Sequence, residues 1–158
     1  RILVLQAGGH YALGQNYINR FNRGISLAAE GLGVSISFAY GQGFFACHQA
    51  VGQALESLGP DVGFVTNSTI DPADVLSSLL LHGRTPGKDV SLVATGAPHE
   101  FPEVEGYQIA GIDQLREETL GLAVDRLMEL IRDDPAAMRP GDFELTTPTF
   151  VPGNTLRS

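Results

Sequence analysis

The stretch "FVTNSTIDPADVL", residues 64–76, contains the change of pattern on which the predicted fold depends. Up to Thr66 its residues are apolar or β-branched, a composition typical of a buried strand. Asp71 and Pro72 then form a typical helix start, because the carboxylate can cap the helix and proline fits its first position. Asn67 lies at the junction, where its amide can contact a ligand or close a local Asx-turn. Both roles are open at this point.

The same alternation of strand and helix continues along the chain. Short apolar or alternating segments are predicted as strands, and segments with helical periodicity as helices. The predicted strands are 2–6, 33–40, 61–66, 90–94, 107–112 and, in the proline-rich tail, the candidate 142–147; the predicted helices are 16–30, 44–59, 72–82 and 115–132. This order predicts an α/β fold with a doubly wound, mostly parallel sheet flanked by helices.

Composition indicates a globular, acidic chain. Its 158 residues suffice for one domain with its own core, and 43% of them are hydrophobic while 18% are charged. A net charge of −8 repels phosphate, so the chain is not expected to bind DNA or RNA by itself. The single cysteine, Cys47, excludes an internal disulfide. No apolar run approaches the roughly 20 residues of a membrane span, so no membrane association is expected.

The start of the chain indicates a segment of a longer protein. The first residue is Arg1 rather than Met, and the predicted first strand follows at once. The opening "RILVLQAGG" is too short for a signal peptide and lacks its basic region. We therefore expect further chain before Arg1, and that part can contribute to the functional site.

The predicted topology also locates a ligand site. In open parallel sheets, ligands bind beyond the carboxyl ends of the strands. This rule places Asn67 on one edge of the sheet together with segments 7–11, 42–44, 95–97 and 113–114. Polar groups from several strands are therefore expected to converge there.

No pattern in the sequence indicates catalysis, a cofactor or a metal. Cys47 and His48 are adjacent on a predicted helix, where neighbouring side chains diverge rather than converge on one atom. The loop after the first strand lacks the spacing of a dinucleotide- or phosphate-binding loop. The acidic segment 97–106, which contains His99, matches no regular metal-ligand spacing. We predict a binding protein rather than an enzyme.

Five motifs carry a resemblance to a known family. In chain order they are "RFNRGISLAAEGLG" (20–33), "GFVTNSTIDPADVLSSLLLHG" (63–83), "GRTPGKDVSLVATGA" (83–97), "IDQLREETLGLAVDRLMELI" (112–131) and "PTFVPGNTLR" (148–157). The ordered set resembles the effector-sensing domain of LacI/GalR-type bacterial transcription regulators. The resemblance implies a type I periplasmic-binding-protein-like fold of two lobes.

The resemblance also implies how the chain is organised. Residues 1–158 would be the C-terminal part of the sensing domain, mainly its C-terminal lobe, with helix 115–132 returning towards the missing lobe. The DNA-binding domain would lie upstream, so DNA would be contacted only through a part absent from this chain. The implied protein is a cytoplasmic homodimer, with helix 72–82 resembling the family's dimerising helix. The alternative, which shares the fold, is an extracytoplasmic solute-binding protein of a transporter.

Six residues are candidate ligand contacts, either from their position at the predicted strand ends or from the resemblance. They are Tyr11, Asn19, Phe21, Phe44, Asn67 and Gln114. For Asn19 and Gln114 the alternative is an ordinary surface position, and for Phe21 it is burial of a helix face. Phe44 matches an aromatic residue that stacks on the ligand, and its alternative is a role in the core. Phe21 stands where the family often has an arginine, while Gly96 and Ala97 replace acidic residues. The expected ligand is a small effector, sugar-like but not a standard sugar unless the missing lobe contributes more than usual.

Overall fold

The structure, a computed structural model, describes residues 1–7, 12–96, 103–114, 116–132 and 147–157. The elements in chain order are β1 (Ile2–Gln6), α1 (Ala12–Gly31), β2 (Ile36–Tyr40), α2 (Phe44–Leu58), β3 (Gly63–Thr66), α3 (Pro72–Leu81), β4 (Ser91–Thr95), β5 (Ala110–Asp113), α4 (Arg116–Arg132) and β6 (Thr149–Val151). Strand and helix alternate through most of the chain, as predicted.

The strands form one sheet of mixed direction. Their order is β2-β1-β3-β4-β5-β6, the first five strands run parallel, and β6 pairs antiparallel with β5. The chain crosses from β1 to β2 in one direction and from β2 to β3 in the other. Because such crossovers are right-handed, α1 and α2 cover opposite faces of the sheet. The predicted α/β fold with a doubly wound, mostly parallel sheet is confirmed.

One face of the sheet carries the main hydrophobic core. Alternate residues of β1, β3 and β4 pack there against α2 and α3, among them Leu3, Leu5, Phe64, Leu92 and Ala94. From α3 the core receives Val75, Leu76 and Leu79, whose side chains are fully buried. Burial of side chains of this size stabilises the fold by about 1.5–3 kcal/mol each. The apolar stripe of α3 is therefore part of the core.

Helix α3 begins and ends as the sequence predicts. A carboxylate oxygen of Asp71 accepts a hydrogen bond from the Ala73 backbone N–H at 2.9 Å, and Pro72 occupies the first turn. Leu81 is the last helical residue, and Gly83 follows with φ 68°. Only a residue that tolerates left-handed backbone ends the helix there without strain.

The C-terminal tail is fastened to the sheet through Thr155. Its carbonyl accepts the Leu92 N–H at 2.9 Å, and its hydroxyl donates to the Leu92 carbonyl at 2.7 Å. The same hydroxyl accepts the Ala110 N–H at 2.9 Å, so one side chain joins β4 to β5. A Cβ at Gly153 would lie 2.2 Å from the Gln108 carbonyl oxygen, which explains why glycine is needed where the tail meets the sheet.

Three boundaries differ from the prediction by three residues or more. Helix α1 begins at Ala12 rather than 16, and β2 begins at Ile36 rather than 33. Strand β5 begins at Ala110 rather than 107, because Tyr107 pairs with Val104 in an isolated bridge instead. Of the candidate strand 142–147, residues 142–146 lie outside the described residues, and the closing strand is β6.

Helix α4 makes the fewest contributions to burial. Every described side chain of α4 is exposed. Five of them are nevertheless apolar and are 42–68% exposed: Leu120, Val124, Leu127, Met128 and Ile131. These five residues, which we call the α4 stripe, recur at helical spacing. Among the described residues, no helix combines the length and the apolar character that crossing a bilayer requires.

Candidate functional site

A row of polar side chains crosses the sheet where the parallel strands end. Gln6 is level with Tyr40 in the pairing of β1 with β2. The Asn67 N–H donates to the Leu5 carbonyl at 3.1 Å, which extends the β1–β3 pairing past Thr66. By the same register Thr95 lies beside Asn67 on β4. Because side chains level with one another share a face, Tyr40, Gln6, Asn67 and Thr95 form one row, which we call the polar row.

The polar row lies on the face opposite the main core. Leu5, which precedes Gln6, belongs to the core on the α2 and α3 side, and side chains alternate along a strand. Gln6 and Asn67 are fully buried and Thr95 is 3% exposed, whereas Tyr40, on the outermost strand β2, is 62% exposed. Three buried polar side chains at adjacent strand ends are unusual for a sheet interior and require hydrogen-bond partners.

Asn67 shapes the turn between β3 and α3. Its Oδ1 accepts the Thr69 backbone N–H at 3.0 Å and also contacts the Thr69 hydroxyl. Its carbonyl accepts the Ile70 N–H at 3.1 Å. The Oδ1 bond closes the Asx-turn that the sequence left open as one of two roles, and the carbonyl bond closes a main-chain β-turn over the same residues. A direct contact of Asn67 with a ligand stays a prediction.

The turn is tied to the end of β1. The Asn67 Nδ2 group donates to Gln6 Oε1 at 3.5 Å, a long hydrogen bond. The Ala7 backbone N–H donates to the Thr69 hydroxyl at 2.9 Å. The polar row and the turn therefore belong to one network that joins two neighbouring strand ends.

Gln6 is the residue of this network that sequence reasoning missed. It is fully buried, and its Nε2 group lacks a hydrogen-bond partner within the described part of the chain. The hydroxyl of Thr66, on the core side, is in the same situation. The available signal was the last letter of "ILVLQ": an amide ending an otherwise apolar strand.

Phe44 is the first residue of α2 and stands after β2, at the same edge of the sheet as the polar row. Its ring stacks on His48 with 5.7 Å between centroids, and His48 stacks in turn on His82 at 4.4 Å. His82 also lies 3.3 Å from the His48 carbonyl oxygen through Nε2. The stack joins this edge to the end of α3. Phe45, beside Phe44, is 87% exposed.

The other predicted site residues are less completely described. Gln114 directly follows β5 and is half-buried, so it shares the edge with Phe44 and the polar row. Asn19 is exposed and Phe21 half-buried, and both lie in the first half of α1. Tyr11 lies outside the described residues. The structure thus brings Phe44, Asn67 and Gln114 to one edge, and the ligand contacts of all six residues stay predictions.

Cys47 has the environment of a structural thiol. Its side chain is 1% exposed, and burial raises its pKa, with a further increase from the carboxylates of Asp74 and Asp71. A raised pKa keeps the thiol protonated and weakens it as a nucleophile. Within the described ranges, no group of three or more His, Cys, Asp or Glu side chains could hold a metal ion.

A cavity of about 320 Å³ lies at the opposite edge of the sheet, beside the amino ends of β3 and β4. Asp61, Asp89, Ser91 and Arg157 contribute its polar lining. Arg157 and Asp61 form an ion pair of 2.8 Å there. This cavity is remote from the polar row. It is therefore an alternative position for a ligand, which an experiment can distinguish from the predicted site.

Comparison with known proteins identifies the fold. No family model matches the chain, and no curated protein matches it by sequence. The solved structures that it resembles include a putative LacI-family transcription repressor from Corynebacterium glutamicum, with a TM-score of 0.72 and 21% identity over 98% of this chain. The Escherichia coli transcriptional repressor ascG superposes with a TM-score of 0.74 at 13% identity over 99% of this chain.

A third structure was solved with a ligand. It is a LacI-family transcriptional regulator from Arthrobacter sp. FB24 in complex with lactose, with a TM-score of 0.68 and 19% identity over 99% of this chain. The chain spans only 55–56% of the length of these three proteins. It therefore has the fold of a little over half of a LacI-family transcriptional regulator.

Proposed function

We propose that this chain is the effector-binding and dimerisation module of a bacterial DNA-binding transcription regulator. The observation that carries the proposal is the polar row, because it lies at the carboxyl ends of parallel strands, where such sheets bind ligands. The fold shared with LacI-family regulators supports the same function. Fold likeness alone does not determine function, so the proposal has to be tested by ligand binding at the site.

The module is one part of a two-lobed sensor. The α4 stripe exposes five apolar side chains on one helix, and an exposed stripe of that kind marks a surface that another element covers. We assign the cover to the second lobe, since the related chains are almost twice as long. Residues 1–158 are then mainly the C-terminal lobe, with α4 returning towards its companion.

Regulation follows from closure of the two lobes. A small molecule held between them stabilises one relative orientation, and the shift in population changes the spacing of the DNA-binding domains in the dimer. DNA is reached only through a domain outside this chain. The protein is a binding module of the cytoplasm rather than an enzyme, and it needs no cofactor.

The effector is a small, uncharged, sugar-like molecule. The Arthrobacter regulator bound to lactose supports this class of ligand. Phe44, at the cleft edge, offers a ring for stacking, while Gln114 offers an amide. Asn19, Phe21 and Tyr11 complete the proposed contacts. Asn67 shapes the turn that borders the cleft.

Dimerisation cannot use the stripe of α3, because Val75, Leu76 and Leu79 are fully buried in the core. The outer surface of the α2–α3 pair is the alternative. Leu81 is 68% exposed at the end of α3, and Phe45 is 87% exposed at the start of α2. We propose that these two apolar residues lie in the homodimer interface.

The alternative function is a solute-binding protein of a transporter, which uses the same fold. The compared structures named above are transcription regulators, and this favours the regulator. Thermal-shift screening of the complete two-lobed protein against lactose and other uncharged sugars tests the proposal, since a bound effector raises the melting temperature. The same sugars should change its affinity for operator DNA. Binding without any effect on DNA would favour the transporter protein.

A further inference from the structure

Gln6 has a central place in the sheet. It ends β1, which lies between β2 and β3. In the polar row it is the second of four residues, between Tyr40 and Asn67. It is fully buried. A primary amide brings two donors and one acceptor oxygen to that position.

The orientation of this amide follows from a chain of hydrogen bonds. The Thr69 backbone N–H can only donate, so the Asn67 atom that it meets must be the acceptor Oδ1. Asn67 therefore turns its Nδ2 donor towards Gln6, at 3.5 Å. The Gln6 atom that faces this donor must be the acceptor Oε1. Its Nε2 group, two donors, is consequently directed away from Asn67.

This Nε2 group is a buried donor without an acceptor in the described residues. Buried donors in native proteins are nearly always hydrogen-bonded, and one without a partner destabilises the fold. Thr95 lies beside Asn67 rather than beside Gln6 in the polar row, and its hydroxyl donates to the Thr66 carbonyl at 3.2 Å. The network thus satisfies the acceptor of Gln6 and leaves its donors for another molecule.

We infer that Gln6 is a specificity-determining residue of the proposed cleft, whose Nε2 group donates a hydrogen bond to an uncharged acceptor oxygen of the effector. This inference rests on the proposed function and deepens it. A hydroxyl, ether or carbonyl oxygen fits, because the four side chains of the polar row are all uncharged. A phosphate or carboxylate oxygen would be buried beside them without a compensating positive charge, which is costly.

Burial has a consequence for binding. Nε2 is buried in this structure, so an effector reaches it only when neighbouring side chains shift. Only the fraction of molecules in which these side chains have shifted can bind, and the observed affinity is the intrinsic affinity multiplied by that fraction. An effector that offers no acceptor to Gln6 gains nothing to offset this cost.

Two substitutions in the complete two-lobed protein separate the donor from the acceptor. Gln6→Glu keeps an oxygen towards Asn67 but has no donor when ionised, whereas Gln6→Met removes both. For a sugar that the wild type binds, lactose being the first probe, both variants should bind at least tenfold more weakly at neutral pH by calorimetry. Burial raises the pKa of a glutamate, and its protonated form can donate, so Gln6→Glu should recover affinity on acidification. Gln6→Met should not recover.

The outcomes distinguish this inference from the proposed function. If the wild type binds a sugar and both variants bind it equally well, Gln6 is not a specificity residue, although the sensor function stands. If the wild type binds none of the sugars but binds inorganic phosphate, the uncharged class is wrong. If it binds neither, the function fails and the inference with it. Should the variants not fold, the side-chain amide signal of wild-type Gln6 must still shift on sugar binding, and an unchanged signal would overturn the assignment.

Discussion

Asn67 accepts the backbone N–H of Thr69 at 3.0 Å, and this one bond orients both amides at the ends of β1 and β3. The fixed Oδ1 leaves Nδ2 to donate to Gln6, which joins the β3–α3 turn to the central strand. Asn67 is therefore a structural residue of the cleft edge, whatever contact it makes with an effector.

Replacement of Asn67 tests this role. Asn67→Ala should lower the free energy of unfolding by about 1–3 kcal/mol, because the Thr69 N–H and the Gln6 Oε1 lose their buried partner. Chemical denaturation measures the change. Thr69→Val is the control at the same turn: it removes the hydroxyl contacts with Ala7 and Asn67 but keeps the backbone N–H bond to Asn67. Because Thr69 is exposed, its effect should be smaller. Equal stability of Asn67→Ala and the wild type would contradict the account.

Thr155 provides a second test, at the join of β4 and β5. Thr155→Val keeps the shape of the side chain but loses the hydroxyl that serves Leu92 and Ala110. We expect a loss of about 1–3 kcal/mol of stability, because a buried carbonyl and a buried N–H both lose a partner. Thr155→Ser keeps the hydroxyl and should retain most of the wild-type melting temperature. If valine and serine destabilise alike, the hydroxyl is not the cause.

Asp89 predicts a pH dependence. The Thr85 N–H donates to its carboxylate at 2.9 Å, and this backbone hydrogen bond holds the pKa of Asp89 below its usual value. A lowered pKa in the folded state adds stability above the pKa of the unfolded chain, near 3.9, and that stability is lost as the pH falls through the folded value. Asp89→Asn should therefore melt below the wild type at neutral pH. The gap should narrow in acid, and a constant gap would contradict the assignment.

The α4 stripe can be tested in two settings. Leu127→Glu should leave the unfolding free energy of the present chain within about 0.5 kcal/mol, because Leu127 is already 56% exposed. In the complete protein the same change should lower the melting temperature, since it puts a charge into the proposed contact between the lobes. Asp125→Ala, on the same helix, is the control. Equal melting of Leu127→Glu and wild type in the complete protein would remove the stripe from that contact.

Much of the fold is readable from local sequence, and the exceptions have identifiable causes. Strand β1 and helix α3 have clear patterns, an apolar run in one and the Asp71–Pro72 start in the other. The start of β5 depends instead on the tail, because the Gln108 N–H donates to the Asn154 side chain at 2.8 Å rather than to a neighbouring strand. No pattern around residue 108 could announce a partner so distant in sequence.

The candidate site divides in the same way. The edge of the sheet that collects Phe44, Asn67 and Gln114 follows from the topology, which the sequence predicts. The structural role of Asn67 does not, since its side chain bonds to Gln6, which is 61 residues away in sequence, and to Thr69. Likewise the apolar pattern of α3 predicts an interface but cannot decide between the core and a second copy of the chain. Only the packed structure assigns Val75 and Leu79 to the core.

The central claim is that a ligand binds where the parallel strands end, on a surface shared with a second lobe. A crystal structure of the complete protein with a bound sugar tests it most directly. We predict the sugar between the lobes, beside Phe44 and within hydrogen-bond distance of Gln6 Nε2. A sugar bound instead at the opposite edge, in the cavity between Asp61 and Asp89, would contradict the account.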